Sequence, residues 1–256
     1  MNHPTPSLDD ALVEVRNADA ASSILLICEH ASPYIPPELN HLGLSPVDRK
    51  SHAAWDPGAM ALATMLAAKL DAALVASTVS RLVYDCNRPP EAPDAMLARS
   101  ETVDVPGNFR LSETAKAERT ERFYRPFQRA VADAVARTDT PILVTVHSFT
   151  RIYHGQPREV DIGVLHDQDT RLADALLSNT SGLGSLAVRR NEPYGPTDGV
   201  THTLREHALP HGHLNVMLEV RSDLIADEAA QNAMAEILAN WLMRALAKLE
   251  GVACKN

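Results

Sequence analysis

The sequence predicts an α/β fold: a mixed, mostly parallel sheet with helices on both faces. Three observations predict it. Short runs of β-branched and aliphatic residues alternate with helical patterns along the chain. Two of those runs, SSILLICEHAS and PILVTVHSFT, stop at a histidine. No repeat, low-complexity tract or linker divides the 256 residues, a length that suits one large domain, so a single domain over 1–256 is expected.

The elements follow in order. Residues 1–20 read as a leader arm with a short helix around Leu8–Val15. The first strand is Ser23–Cys28, followed by a proline-rich surface loop, SPYIPPELNHLGLSP. Asp56-Pro57 reads as an N-cap and first-turn proline for the helix AMALATMLAAKL, whose apolar residues cover most of its circumference. A strand at Ala73–Ala76 precedes a second extended run, Ser80–Cys86. The long proline-rich connection NRPPEAPDAMLARSETVDVPGNF has the length of a functional loop. Ser112 opens a long helix to about Arg137, with Phe123, Phe127, Val131 and Val135 on one face. Strand Ile142–Val146, strand Val160–Leu165, helix Arg171–Ser178 and strand Leu186–Arg189 continue the alternation. After the loop NEPYGPTDGVTHT come strand Leu214–Val220 and a final helix from Asp227 to Glu250, closed by Gly251.

Composition narrows the function. A net charge of −9 argues against nonspecific nucleic-acid binding, while leaving room for a local cationic pocket. The N-terminus lacks a signal-peptide pattern, and no apolar stretch reaches the length that spans a bilayer. The three cysteines, Cys28, Cys86 and Cys254, lack paired spacing and read as reduced thiols of a cytoplasmic protein.

The chemistry gathers at strand ends. A run that ends in histidine places an imidazole at the carboxyl edge of a sheet, where ligands of open α/β folds bind. His30 and His147 are therefore expected to share one metal site. A hydrolytic zinc centre uses three protein ligands and an open position, so a carboxylate or third histidine is needed. Asp56 is the first choice and Glu29 the second. Arg81, Asn87 and Arg88 cluster in SRLVYDCNRPP and can clamp an anionic substrate, with Asp85 orienting an arginine. The alternative is local arginine–acid bonding. Glu219 lies within the apolar strand NVMLEVRSDL, and a buried carboxylate is costly unless paired or functional. It is a candidate general base, or else a salt-bridge partner of Arg221 on the same strand face. Arg221 and His207 complete the expected substrate-binding set. Ser148 lacks a nucleophile-elbow motif, and no glycine-rich phosphate loop is present.

Together the segments CEHAS, HAAWDPGA, SRLVYDCNRP, VPGN, VHSF, NEPY and LEVRSDLI, in this order along nearly the whole chain, resemble the N-formylglutamate amidohydrolase family. The resemblance implies a three-layer α/β/α sandwich related to zinc carboxypeptidases and aspartoacylases. It implies His30 and His147 as metal ligands, Asn87 and Arg88 on the substrate carboxylate, Arg81 beside the oxyanion and Glu219 as catalytic carboxylate. Carboxypeptidase-like sites carry a glutamate three residues after the first histidine; here that position is Pro33, so the third ligand comes from elsewhere. The implied activity is metal-dependent hydrolysis of a small anionic N-acyl amino acid, best guess N-formylglutamate. One zinc, or another divalent transition metal, is expected per chain. The rivals are a non-catalytic binding protein of the same fold and a hydrolase of another acyl amino acid or small peptide.

Overall fold

The computed structural model describes residues 12–253. Seven strands form one sheet: β1 (Val13–Arg16), β2 (Ile24–Cys28), β3 (Ala73–Ser77), β4 (Ile142–Phe149), β5 (Ile162–Leu165), β6 (Val188–Arg190) and β7 (Asn215–Arg221). Their order is β1-β3-β2-β4-β7-β5-β6. The pairs β3–β2, β2–β4, β4–β7 and β5–β6 are parallel, whereas β1–β3 and β7–β5 are antiparallel. The mixed, mostly parallel sheet is therefore as expected.

The central strands are almost wholly buried and mostly apolar because both faces are covered. On one face, Leu26, Leu74, Val146 and Leu218 meet α1 (Ala59–Leu70), α4 (Arg171–Leu177) and α6 (Glu228–Ala253). Trp241 of α6 is fully buried there, and its indole Nε1–H donates to the Leu176 carbonyl at 3.1 Å. On the other face, Leu25, Ile27, Val75 and Leu143 meet α3 (Arg125–Arg137). Leu204 of α5 (His202–His207) packs on Leu165 and Met217 of that same face. The result is three layers, α/β/α.

Several expected elements shift. The described part of the leader helix is instead strand β1; Leu8 to Asp10 and Ala11 lie outside the described residues. Val13 and Val15 alternate with Glu14 and Arg16, a period that suits pairing with β3. Ser80–Cys86 is buried but not a strand. Ser80 folds it into turns, its hydroxyl accepting from Leu82 N and its carbonyl from Val83 N. The helix opened by Ser112, whose Oγ accepts from Ala115 N, runs from α2 (Glu113–Arg119) into α3 through one π turn, Thr120–Tyr124. There the Arg125 N–H donates to Thr120 O, one residue before Pro126, which has no N–H to give. Gly251 lies within α6 rather than ending it. Among the described residues no helix is long and apolar enough to cross a membrane.

The long connection after Arg88 is not structureless. It contains a small hairpin, Arg99–Ser100 with Val103–Asp104. Asn108 pins its far end by donating to the carbonyls of Leu82 and Leu97, both at 2.8 Å. Buried Arg119 donates in turn to Asn108 Oδ1 at 2.6 Å.

Chain order places the site. The chain passes from β2 outward to β3 and returns to β4 on the other side of β2. The crevice beyond the carboxyl ends of β2 and β4 is thus a topological switch point. Gly163 on β5 permits a close approach beside it: a Cβ there would sit 2.1 Å from Glu192 O and 3.1 Å from Glu219 Cβ. Replacing Gly163 with alanine is therefore expected to destabilise the fold by about 2 kcal/mol or more, as overpacking of a rigid backbone contact does. The urea midpoint checks this; an unchanged midpoint contradicts the packing described.

A candidate metal centre at the switch point

His30 follows the last residue of β2 by two positions, and His147 lies on β4 two residues before its end. The strand thus continues past His147, to Phe149, rather than stopping at it. The two imidazoles meet edge-on with ring centroids 4.8 Å apart. Between them comes Asp56. Its Oδ2 lies 3.2 Å from His30 Nδ1 and 2.9 Å from His147 Nδ1, and accepts from Ser148 N at 3.3 Å. Asp56 does not cap α1. The N-cap is Gly58, at φ 83, where a Cβ would sit 2.7 Å from Ile225 O. That turn frees the Asp56 carboxylate to face inward. Ser148 supports it further by donating its hydroxyl to Pro57 O at 2.8 Å.

Both imidazoles are held from behind as well. His30 Nε2 meets Asp85 Oδ1 at 2.7 Å. His147 Nε2 lies 3.0 Å from Glu29 Oε2, off the line that a hydrogen bond needs. Glu29 therefore stands behind His147, whereas Asp56 lies between the two histidines. Asp85, expected beside an arginine, holds both: its Oδ2 accepts from Arg81 Nη2 at 2.9 Å.

The electrostatics follow from burial and proximity. Burial opposes charge on every one of these groups, but the neighbours outweigh it. His30 and His147 hold Asp56 well below the ordinary carboxylate range. Asp85 is held low by His30 and Arg81, and Glu29 by His147. In return, Asp85 and Asp56 raise His30, and Glu29 and Asp56 raise His147 well above a free imidazole. The pocket favours positive charge at its centre. Glu219 is the exception: burial, with Asp56 adding, pushes its carboxyl up to about 7 against the pull of His147. It faces His147 across the β7–β4 pairing and Gly163 across β7–β5. Its Oε2 has no hydrogen-bond partner among the described residues.

His30, Asp56 and His147 each offer a ligand atom within 4.8 Å of the others, and all three residues are buried. Two imidazole nitrogens and a carboxylate, held from behind by further carboxylates, fit a divalent metal with an open position. These residues form one end of a cavity of about 720 Å³, which Arg81, Asn87, Arg88 and Glu219 also line.

The expected substrate residues divide. The Asn87 carboxamide donates to Val200 O and accepts from Thr203 N and Oγ1, so it anchors the turn into α5. Arg88 donates Nε to Asp94 at 2.6 Å, Nη1 to the carbonyls of Asn87 and Gly199, and Nη2 to Asp198 O. Four of its five donors are engaged by the protein. Arg221 does not reach the cavity. It closes the outer end of β7, bound to Asp161 at 2.5 Å and Asp223 at 2.7 Å, and forms no ion pair with Glu219. His207 is buried at the end of α5, outside the cavity lining, and burial lowers it to about 4. Sequence reasoning missed Arg158, Tyr153, His52 and Glu101, all of which line the cavity. Tyr153, Arg158 and Glu101 stand in or beside small hairpins whose sequences carry no period or motif, while His52 opens the HAAWDPGA segment in a turn before Asp56.

Comparison with known proteins identifies the family. No curated protein matches the chain. A crystal structure of a gene product of Agrobacterium tumefaciens is 53% identical, with a TM-score of 0.92, over 94% of this chain and 97% of that one. The N-formylglutamate amidohydrolase of Ralstonia eutropha JMP134 shares the fold at 18% identity, with a TM-score of 0.66, over 94% of this chain and 99% of that one. The family model of N-formylglutamate amidohydrolase matches residues 22–226, which span every site residue above, and the chain belongs to that family of amide-bond hydrolases.

Proposed function

We propose that the chain is a metal-dependent hydrolase of a small anionic N-acyl amino acid, with N-formylglutamate the best candidate. The observation that carries this reading is the placement of Glu219. A buried carboxylate, pushed toward neutrality, stands next to a His–Asp–His donor set in one cavity. A stability role for so poorly satisfied an acid is unfavourable.

A divalent metal, zinc by the donor set, supplies polarisation of the acyl carbonyl and a water of lowered pKa. The chain supplies the rest. Glu219 takes a proton from the attacking water, whose oxygen bonds the acyl carbon. As the carbon–nitrogen bond breaks, Glu219 returns the proton to the leaving amine. A carboxyl near pH 7 is suited to both transfers. Arg81, held by Asp85 and facing Asp56 Oδ1 at 3.6 Å, lines the cavity and donates to the developing oxyanion. Asn87 and Arg88 build the wall that the substrate carboxylate meets, with one Arg88 Nη2 hydrogen left to donate. Arg221 and His207 take no part in substrate binding. All these groups gather at one edge of a single seven-stranded sheet, on its strands or in the turns beside them, which supports reading the chain as a single hydrolase domain. The buried free thiols of Cys28 and Cys86 fit a cytoplasmic enzyme.

Glu219→Gln is expected to keep its metal and bind substrate while losing on the order of 10²–10⁴-fold in kcat, the usual worth of a general base. Near-normal turnover would refute the assignment. Removing metal with a chelator is expected to abolish hydrolysis, and one equivalent of zinc per chain to restore it. Full activity in protein that elemental analysis shows to be metal-free contradicts the reading.

A further inference from the structure

Four arginines line the cavity, and three already face a carboxylate. Arg81 faces Asp85 and Asp56, Arg88 faces Asp94, and Arg99 faces Asp104. Arg158 is different. Among the described residues no carboxylate lies within ion-pair distance of it. Its bonds are Nη2 to the Tyr194 hydroxyl at 2.8 Å and a long one, Nη1 to Thr150 O at 3.4 Å. Three of its five donors remain.

Its setting is built. The guanidinium carbon lies 4.4 Å from the ring centroid of Tyr153, 4.8 Å from Tyr194 and 5.5 Å from Phe149. Three aromatic faces hold the planar group without neutralising it. The position is fixed by β4 and the small hairpin that follows it, Ile152–Tyr153 with Gln156–Pro157, since Arg158 N donates to Arg151 O at 2.8 Å. Phe149 lies two residues after His147 and so shares its sheet face. Two strand residues advance about 7 Å, which sets Arg158 outward from the metal-site end along the same cavity. Tyr194 bridges the two ends: it feels the charges of Glu219, Arg158 and Arg81 together.

We propose that Arg158 is the residue that selects an acidic side chain, binding the second carboxylate of a dicarboxylic N-acyl amino acid. The inference rests on the reading that this cavity hydrolyses an N-acyl amino acid. It adds that the substrate class is set by an arginine without a counter-ion, caged in Phe149, Tyr153 and Tyr194. An isosteric amide in place of the side-chain carboxylate keeps the shape and loses the charge-assisted bonds.

The test compares N-formylglutamate with N-formylglutamine on wild-type enzyme, Arg158→Gln and Arg158→Lys, each checked for metal content and circular dichroism. Loss of a charge-assisted pair corresponds to about 30-fold. Arg158→Gln is expected to lose about that factor in kcat/KM on N-formylglutamate, mostly through KM, with under about 3-fold change on N-formylglutamine. Arg158→Lys recovers part of the loss. Equal losses on both substrates, or none on either, overturn the proposal. Glutarate binding by calorimetry supplies a readout free of turnover. If the wild type hydrolyses neither substrate, the reading of the reaction fails. Weaker glutarate binding by Arg158→Gln then still supports the role of Arg158, and equal binding overturns it.

Discussion

One oxygen atom organises this site. Asp56 Oδ2 is shared by the Nδ1 atoms of His30 and His147 and by the Ser148 amide, which ties the ends of β2 and β4 to the turn before α1. A carboxylate buried this deeply is stable only because two imidazoles and Arg81 surround it. Those groups in turn need Asp85 and Glu29 behind them. The centre is therefore a set of mutually dependent charges, each too costly alone when buried this deeply. Removing one member leaves the others uncompensated, so the site is preorganised by its own electrostatics.

The sheet makes that arrangement possible. Parallel β2 and β4 deliver their carboxyl ends side by side because β3 lies on the outer flank of β2. β7 runs parallel to β4 and brings Glu219 level with His147. Antiparallel β5 then presents Gly163 to Glu219, giving the carboxylate room that any side chain would fill. Glu219 thereby stays close to the His–Asp–His cluster yet outside its bonding, the separation that the proposed division between a proton-moving and a metal-holding carboxylate requires.

Much of this was legible in the sequence. Apolar runs leading into a histidine marked both imidazoles, because a polar ring at the carboxyl end of a fully covered strand faces the sheet edge where ligands bind, although β4 itself runs on to Phe149. Asp56 could be named from Asp-Pro-Gly, although that motif equally fits an N-cap, and only the glycine turn shows which way its side chain points. Glu219 stood out as a charge within an apolar strand. What the sequence hid has physical causes. Ser80–Cys86 has strand composition, but local hydroxyl bonding folds it into turns. Arg221 shares a strand face with Glu219, yet Asp161 and Asp223 capture it first. Arg158 matters through a hairpin and three aromatic rings brought together from separate segments, a placement that no local pattern encodes.

The central claim is that His30, His147 and Asp56 hold a single divalent metal through imidazole nitrogen and carboxylate oxygen. X-ray absorption spectroscopy of the zinc-loaded protein tests it most directly. The account predicts two imidazole nitrogens and only oxygen donors besides in the shell around zinc, with about one metal per chain and no tight binding in Asp56→Ala. A sulfur ligand, or a metal shell unaffected by Asp56→Ala, would contradict it.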